Sequence, residues 1–319
     1  MLKASVLARN LEPSITDLDF GEFTINPVGL RADELKEVLS QANSDDWILE
    51  KSYPQPPLGS PDSVDYGIPA DIEKALFLLR LYQEGEIAFI SLAITTPEGI
   101  RRLPPYRAIN DLNSYSYPQF DFVQEKCEQW KRFADGIRSS LAWNSDWFTT
   151  ARRFFLSGGA KQFSPRRDDV DRIVDYAIAL ESALVPERDY NTRRIRHRAA
   201  ALIAADNPVR EKAVAGLIKG LYDIRSRIAH GSGLDDKSRE WLVDNSGQIE
   251  RLVRQILVAA VQKLPPREED RCLALTELYD PTDADRGDLV FGKFKEIKTV
   301  EVRKALAAKI VKLAGDEPK

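Results

Sequence analysis

Histidine and cysteine are the scarcest chemistry-bearing residues of this chain, with 2 of each among 319 residues. Cys127 and Cys272 lie far apart with no paired spacing, which excludes a disulfide framework and suits a reducing, cytoplasmic setting. No group of His, Cys, Asp and Glu has metal-ligand spacing, so neither a metal nor another cofactor is expected. A G-x-S-x-G nucleophile elbow is also missing. Residues 1–118 contain no histidine or cysteine at all, which argues against an enzyme seated there.

Long apolar runs are absent as well. The most apolar region, IEKALFLLRLYQEGEIAFISLAI, is broken by Arg80, Glu84 and Glu86, so no membrane span is expected. The first residues, MLKASVLARNLEPS, meet Glu12 and Pro13 early and do not follow a signal-peptide pattern. Nor is positive charge in excess. With a net charge of −4, any nucleic-acid site must be a local basic patch. What is present suits a sizeable core: 43% hydrophobic residues, with 5 Trp and 13 Phe. The length favours two domains.

The hydropathy pattern changes along the chain. Ile15, Leu18, Phe20, Phe23 and Ile25 alternate roughly with polar residues, which suggests strands ended by Asn26-Pro27. After the rigid YPQPPLGSP loop (Tyr53 to Pro61), Asp71 reads as the N-cap of a helix stopped by Gly85, and EIAFISLAITTP as a buried strand. Arg101 to Phe120 reads as a connector. Helical periods follow around Phe122–Trp143, Asp146–Phe155, Asp168–Leu184, Asn191–Ala204, Arg210–His230 and Lys237–Leu264. The tail from Pro265 holds PPREED, a turn-rich stretch with Pro281 and Gly287, and one amphipathic helix near Val300–Leu313. The chain therefore reads as mainly α. A smaller α+β domain at 1–118 precedes a helical bundle at 119–265 and a C-terminal extension at 266–319.

One helix ends in LYDIRSRIAHGSG, Leu221 to Gly233. Val214, Leu217, Leu221, Ile224 and Ile228 form its apolar stripe, and Arg225 falls within that stripe. In DDVDRIVDYAIALESALV the stripe is Val170, Ile173, Ala177 and Leu184, and Glu181 falls within it. Unpaired buried charges are costly, so Glu181 and Arg225 are expected to meet. Such a pair can be purely structural, and breaking a fully buried one costs about 3–5 kcal/mol. His230 precedes Gly231, a suitable C′ residue, and can itself be read as a C-cap.

Arg225 and His230 make an R-x4-H motif, flanked by "ALES" on an earlier helix and "LYDIRS…HG" on this one. The run resembles the Apea-like family of the HEPN superfamily over residues 165–265, about a third of the chain. The resemblance implies a HEPN-like helical bundle and a metal-independent endoribonuclease site assembled from two protomers. RNA and a second copy of the chain are then the expected partners. Ser226 departs from the Asn, Asp or His that many members carry after the arginine.

Such a site would let the RNA 2′-OH attack the adjacent phosphorus, giving a 2′,3′-cyclic phosphate. His230, favoured as a cation by the helix dipole, would act as general acid, Arg225 would grip phosphate oxygens, and Glu181 would orient Arg225. On a regular helix Arg225 and His230 lie about 140° apart, so a frayed helix end or a dimer is needed to bring both to one phosphate. RRIRHR contributes Arg193, Arg194, Arg196, His197 and Arg198, which read as an RNA-binding patch or as a solvated helix face. Arg227 reads as RNA-facing or solvated. LSGGAK (Leu156 to Lys161) lacks the full phosphate-loop pattern and reads as an interhelical turn. The alternative for the whole chain is a catalytically silent HEPN module that binds RNA, a nucleotide or a partner protein. In either case residues 1–118 would sense or regulate through a protein or ligand.

Overall fold

The computed structural model describes residues 2–9, 11–13, 18–19, 24–27, 47–53, 61–83, 88–96, 99–102, 120–122, 124–161, 169–186, 191–204 and 207–279. The chain is mainly helical and divides into two compact units, with the break between Gly136 and Ile137. That break lies beyond the composition change at Pro118.

The first unit is built on β1 (Leu2–Arg9), which runs antiparallel to β5 (Trp47–Tyr53) on one side and β6 (Ala88–Thr96) on the other. With β3 (Leu18–Asp19), β4 (Thr24–Pro27) and β7 (Gly99–Arg102), the sheet order is β3-β4-β5-β1-β6-β7. β2 (Leu11–Pro13) pairs in parallel with β8 (Phe120–Phe122). Register explains a buried carboxylate at the sheet centre. Ser5 stands opposite Glu50, and Lys3, two residues earlier, shares the face of Ser5. Glu50 therefore meets Lys3 Nζ at 2.7 Å and accepts from Ser5 Oγ at 3.3 Å.

Helix α1 runs Pro61–Tyr82, ten residues ahead of the expected start at Asp71. Asp71 is not a cap. It lies inside the helix, and its carboxylate meets Lys51 Nζ at 2.6 Å and accepts from the Tyr53 hydroxyl at 3.3 Å. Gly67 and Pro69 discourage a helix, yet they lie within this one, whose later turns bury Phe77, Leu78 and Leu79. Helix α2 (Gln124–Arg138) belongs to this unit as far as Gly136, and its Phe133 packs on Tyr82.

The second unit is a helical assembly of α3 (Asp146–Lys161), α4 (Asp169–Leu184), α5 (Asn191–Ala204), α6 (Pro208–Ala229), α7 (Asp236–Lys263) and α8 (Glu268–Tyr279). α4 is its hub and touches α3, α5, α6 and α7. Its Ile173, Tyr176, Ala177, Leu180 and Ala183 are all buried, and the alanines let neighbouring helices approach. Gly158 serves the same purpose on α3: a Cβ there would lie 2.7 Å from the Tyr176 ring. LSGGAK is thus the last part of a helix and not a turn, since its glycine makes room for an aromatic ring.

α7 stops where Leu264 turns extended before Pro265-Pro266, which can neither donate nor continue a helix. Beyond it α8 forms, with Glu268, Glu269 and Asp270 in its positively polarised first turn, while the expected turn-rich stretch with Pro281 and Gly287 lies outside the described residues. It packs on α5, and Arg271 lies 4.7 Å over the Trp147 ring. The amphipathic helix expected near Val300–Leu313, and most of the expected connector at Arg101 to Phe120, lie outside the described residues. No described helix is long and apolar enough to cross a membrane.

Candidate functional site

α6 has well-defined ends. Asn207 Oδ1 accepts from the Arg210 backbone N–H at 3.1 Å, and Pro208 occupies the first turn, where its missing N–H costs nothing. At the other end His230 is the C-cap residue, and Gly231 adopts φ +68°, as a C′ glycine should. The Ser232 N–H donates to the Arg227 carbonyl and the Gly231 N–H to the Ile228 carbonyl, both at 2.9 Å, which completes a Schellman motif. Capping is therefore done by backbone groups. The His230 side chain is exposed, and among the described residues its imidazole has no hydrogen-bond partner.

The inward face of α6 buries Val214, Ile218, Leu221, Tyr222 and Ile224. Arg225 interrupts that face and meets Glu181 of α4, as the helical spacing predicts. Its Nη2 lies 3.3 Å from Glu181 Oε1 and 3.5 Å from Oε2. These distances are long for a charge-assisted bond. The pair is also less buried than two apolar stripes imply, with the side chains of Arg225 and Glu181 35% and 19% exposed. Tyr222, one turn before Arg225, completes the group. Its buried hydroxyl donates to the Ala177 carbonyl at 3.1 Å, and the ring lies near enough to Glu181 to feel its charge. Sequence reasoning passed over Tyr222, although its i−3 spacing from Arg225 puts it on the same face.

Burial raises the Glu181 carboxyl above the usual carboxylate range, and this outweighs the lowering by the Arg225 charge. Burial also pushes the Tyr222 phenol well up, helped by the nearby Glu181 charge. Two consequences follow for stability. The 3–5 kcal/mol loss that applies to a fully buried pair does not apply here, and Glu181→Ala is expected to cost about 1–2 kcal/mol. Moreover, the folded protein holds the Glu181 proton to higher pH than the unfolded chain does. This group's contribution is therefore present below the unfolded-state carboxylate range and lost as pH rises through the folded value. Glu181→Gln should gain stability relative to wild type between pH 4 and 7, read as diverging urea midpoints. Parallel midpoints would contradict the raised carboxyl.

The other candidates are placed differently. Arg198 does not face RNA: it is fully buried, and its Nη1 donates to the Leu184 carbonyl at 2.6 Å. Arg196 is half-buried and turned onto α6, its Nε donating to the Ala215 carbonyl at 3.2 Å near Asp223. Arg193, Arg194 and His197 are half-buried. Arg196 and Arg198 are thus turned toward neighbouring helices, because long guanidinium side chains can reach backbone carbonyls across a helix interface.

Arg227 is exposed, but its Nη1 lies 2.7 Å from Asp235 Oδ2. Asp235 caps α7 by accepting from the Ser238 N–H at 2.8 Å, and the hydrogen bonds from Ser238 and then Arg227 hold its carboxyl at about 2. The short connector that begins at His230 is therefore anchored at both ends. Arg225, Glu181 and Tyr222 are brought together, whereas His230 sits apart at the helix terminus.

Comparison with other proteins adds no relative. The chain matches no family model, and neither curated proteins nor solved structures include one similar to it. Among the described residues no group of three or more His, Cys, Asp or Glu could hold a metal ion.

Proposed function

We propose that the helical unit is a HEPN-type endoribonuclease module. The observation that supports this best is the contrast within one R-x4-H motif. Arg225 is half-exposed and loosely paired with Glu181, and His230 is exposed on a helix end that the backbone caps without it.

In this reading the RNA 2′-oxygen attacks its neighbouring phosphorus and the 5′-oxygen leaves. The 2′-OH proton is lost to solvent, His230 protonates the leaving oxygen, and Arg225 offsets charge building on the phosphate. Arg225 can do so because Nη2 alone faces Glu181, so the rest of its fork remains for phosphate oxygens. Glu181 orients the fork. Two copies of the chain would supply what one helix separates, so the active form is a homodimer joined near His230. The module would serve as a defence or toxin-type effector in the cytoplasm, with the N-terminal unit sensing a protein or ligand.

A second reading, a silent module that binds RNA, a nucleotide or a protein, draws on Ser226 after the motif arginine and on the inward-turned arginines of α5. One assay separates the two. Purified protein incubated with mixed RNAs should yield 2′,3′-cyclic phosphate ends, and a 2′-deoxy substitution at the cut position should block the cut. Cleavage should survive EDTA, because every step moves only protons and phosphate charge. Intact RNA at micromolar dimer would leave the binding module as the better reading.

A further inference from the structure

α6 and α7 form a helical hairpin whose corner, His230 to Asp235, carries the candidate general acid. Packing does not hold that corner. His230 to Gly233 are exposed, and among the described residues nothing lies within 4 Å of a Cβ built at Gly231 or Gly233. Polar bonds hold it instead. The Asp235 carboxylate is divided between the two helices. Its Oδ1 accepts from the Ser238 N–H in the first turn of α7 at 2.8 Å, and its Oδ2 meets Nη1 of Arg227, in the last turn of α6, at 2.7 Å. The Arg227 carbonyl in turn accepts from the Ser232 N–H at 2.9 Å, and Arg239 Nε donates to the Leu234 carbonyl at 3.2 Å. Gly220 lies two turns before Arg227 on the same face of α6, and Trp241 of α7 rests so close to it that any Cβ there would collide with the indole. One seam therefore joins the helices, with Trp241 on Gly220 further in and the Asp235–Arg227 pair closing it at the corner.

We infer that Asp235 is a positioning residue for His230: its carboxylate latches the last turn of α6 to the first turn of α7. The inference rests on the proposed nuclease reading only where it speaks of activity. Arg227 stands three residues before His230, in the turn whose carbonyls close the helix on Gly231 and Ser232. Opening the pair frees that turn to fray, and the imidazole then travels with it. A reacting group displaced by about 1 Å can cost roughly a hundredfold in rate. The pair itself is exposed and contributes little to folding, so the latch can be opened without unfolding the helical unit.

The test uses the full-length protein and two variants that open the pair from opposite sides. Asp235→Asn keeps an oxygen for the Ser238 N–H but loses the charge that Arg227 meets, and Arg227→Leu removes the guanidinium. Backbone amide relaxation by NMR should show Gly231, Ser232 and Gly233 ordered in the wild type and mobile on the nanosecond timescale in both variants. If the module cleaves RNA, kcat should fall roughly tenfold in each variant with KM unchanged. The double variant should lose no more than either single one, because both open the same latch. Mobile amides in the variants of a protein whose wild type cuts no RNA would uphold the latch and reject the nuclease reading. Amides already mobile in the wild type, or equally ordered in the folded variants, would overturn the inference. So would an unchanged kcat, or a KM raised by Arg227→Leu alone, which would make Arg227 an RNA contact. Should one variant fold poorly, the other gives the same measurement from the opposite side of the pair.

Discussion

A His230→Ala protein is expected to cut RNA roughly two to four orders of magnitude more slowly than wild type, the usual range for losing a general acid. Its folding should barely change. The imidazole is exposed, the α6 terminus is closed by the Ser232 and Gly231 N–H groups, and Gly231 supplies the positive φ. What remains at stake is a favourable charge–dipole term of about 0.3–1 kcal/mol when the ring is protonated. This separation of activity from stability is what makes the variant informative. Arg225→Ala should abolish cleavage too, but it strips Glu181 of its counter-charge and shifts stability as well. Full cleavage by a folded His230→Ala protein would remove the general acid from the mechanism, and with it the main argument for a nuclease.

Local signals explain which parts of this molecule can be read from its sequence. The C-terminal end of α6 is legible because His230-Gly231 acts within one turn of where it stands, whereas the helix starts at Pro208, two residues before the expected Arg210. The Glu181–Arg225 pair is legible because helical periodicity puts each charge on an apolar stripe, and opposite charges there have few other ways to be satisfied. How deeply the pair lies is not legible, since burial depends on what the neighbouring helices leave open. The arginines of α5 show the limit most clearly. In sequence RRIRHR is a basic cluster, but Arg196 and Arg198 find backbone carbonyls on other helices, and no local pattern announces a carbonyl as partner. In the same way β1 and β5 hide behind Lys3, Ser5 and Glu50, polar residues that satisfy one another only once the strands are in register. The sequence therefore shows an α+β unit without its central strand.

Arg198→Ala should be among the most destabilising single changes in the helical unit, at about 3–5 kcal/mol. Two costs combine. A long side chain that is fully buried leaves a cavity. The Leu184 carbonyl also loses a charge-assisted donor at 2.6 Å. That carbonyl belongs to the last turn of α4, where helical carbonyls lack partners and where the chain meets Pro186, which has no N–H to offer. The guanidinium there also meets the negative end of the α4 dipole, so a cation suits the position beyond its hydrogen bond. Arg198→Lys keeps the charge but not the planar fork, and should recover only part of the loss. RNA affinity gives the complementary test. A phosphate-contacting arginine lowers the salt slope of binding by about one when removed, whereas Arg198, facing the core, should leave it unchanged when the variant is held below its melting temperature. A wild-type urea midpoint for Arg198→Ala, or a salt slope reduced by one, would return this arginine to the RNA-facing surface.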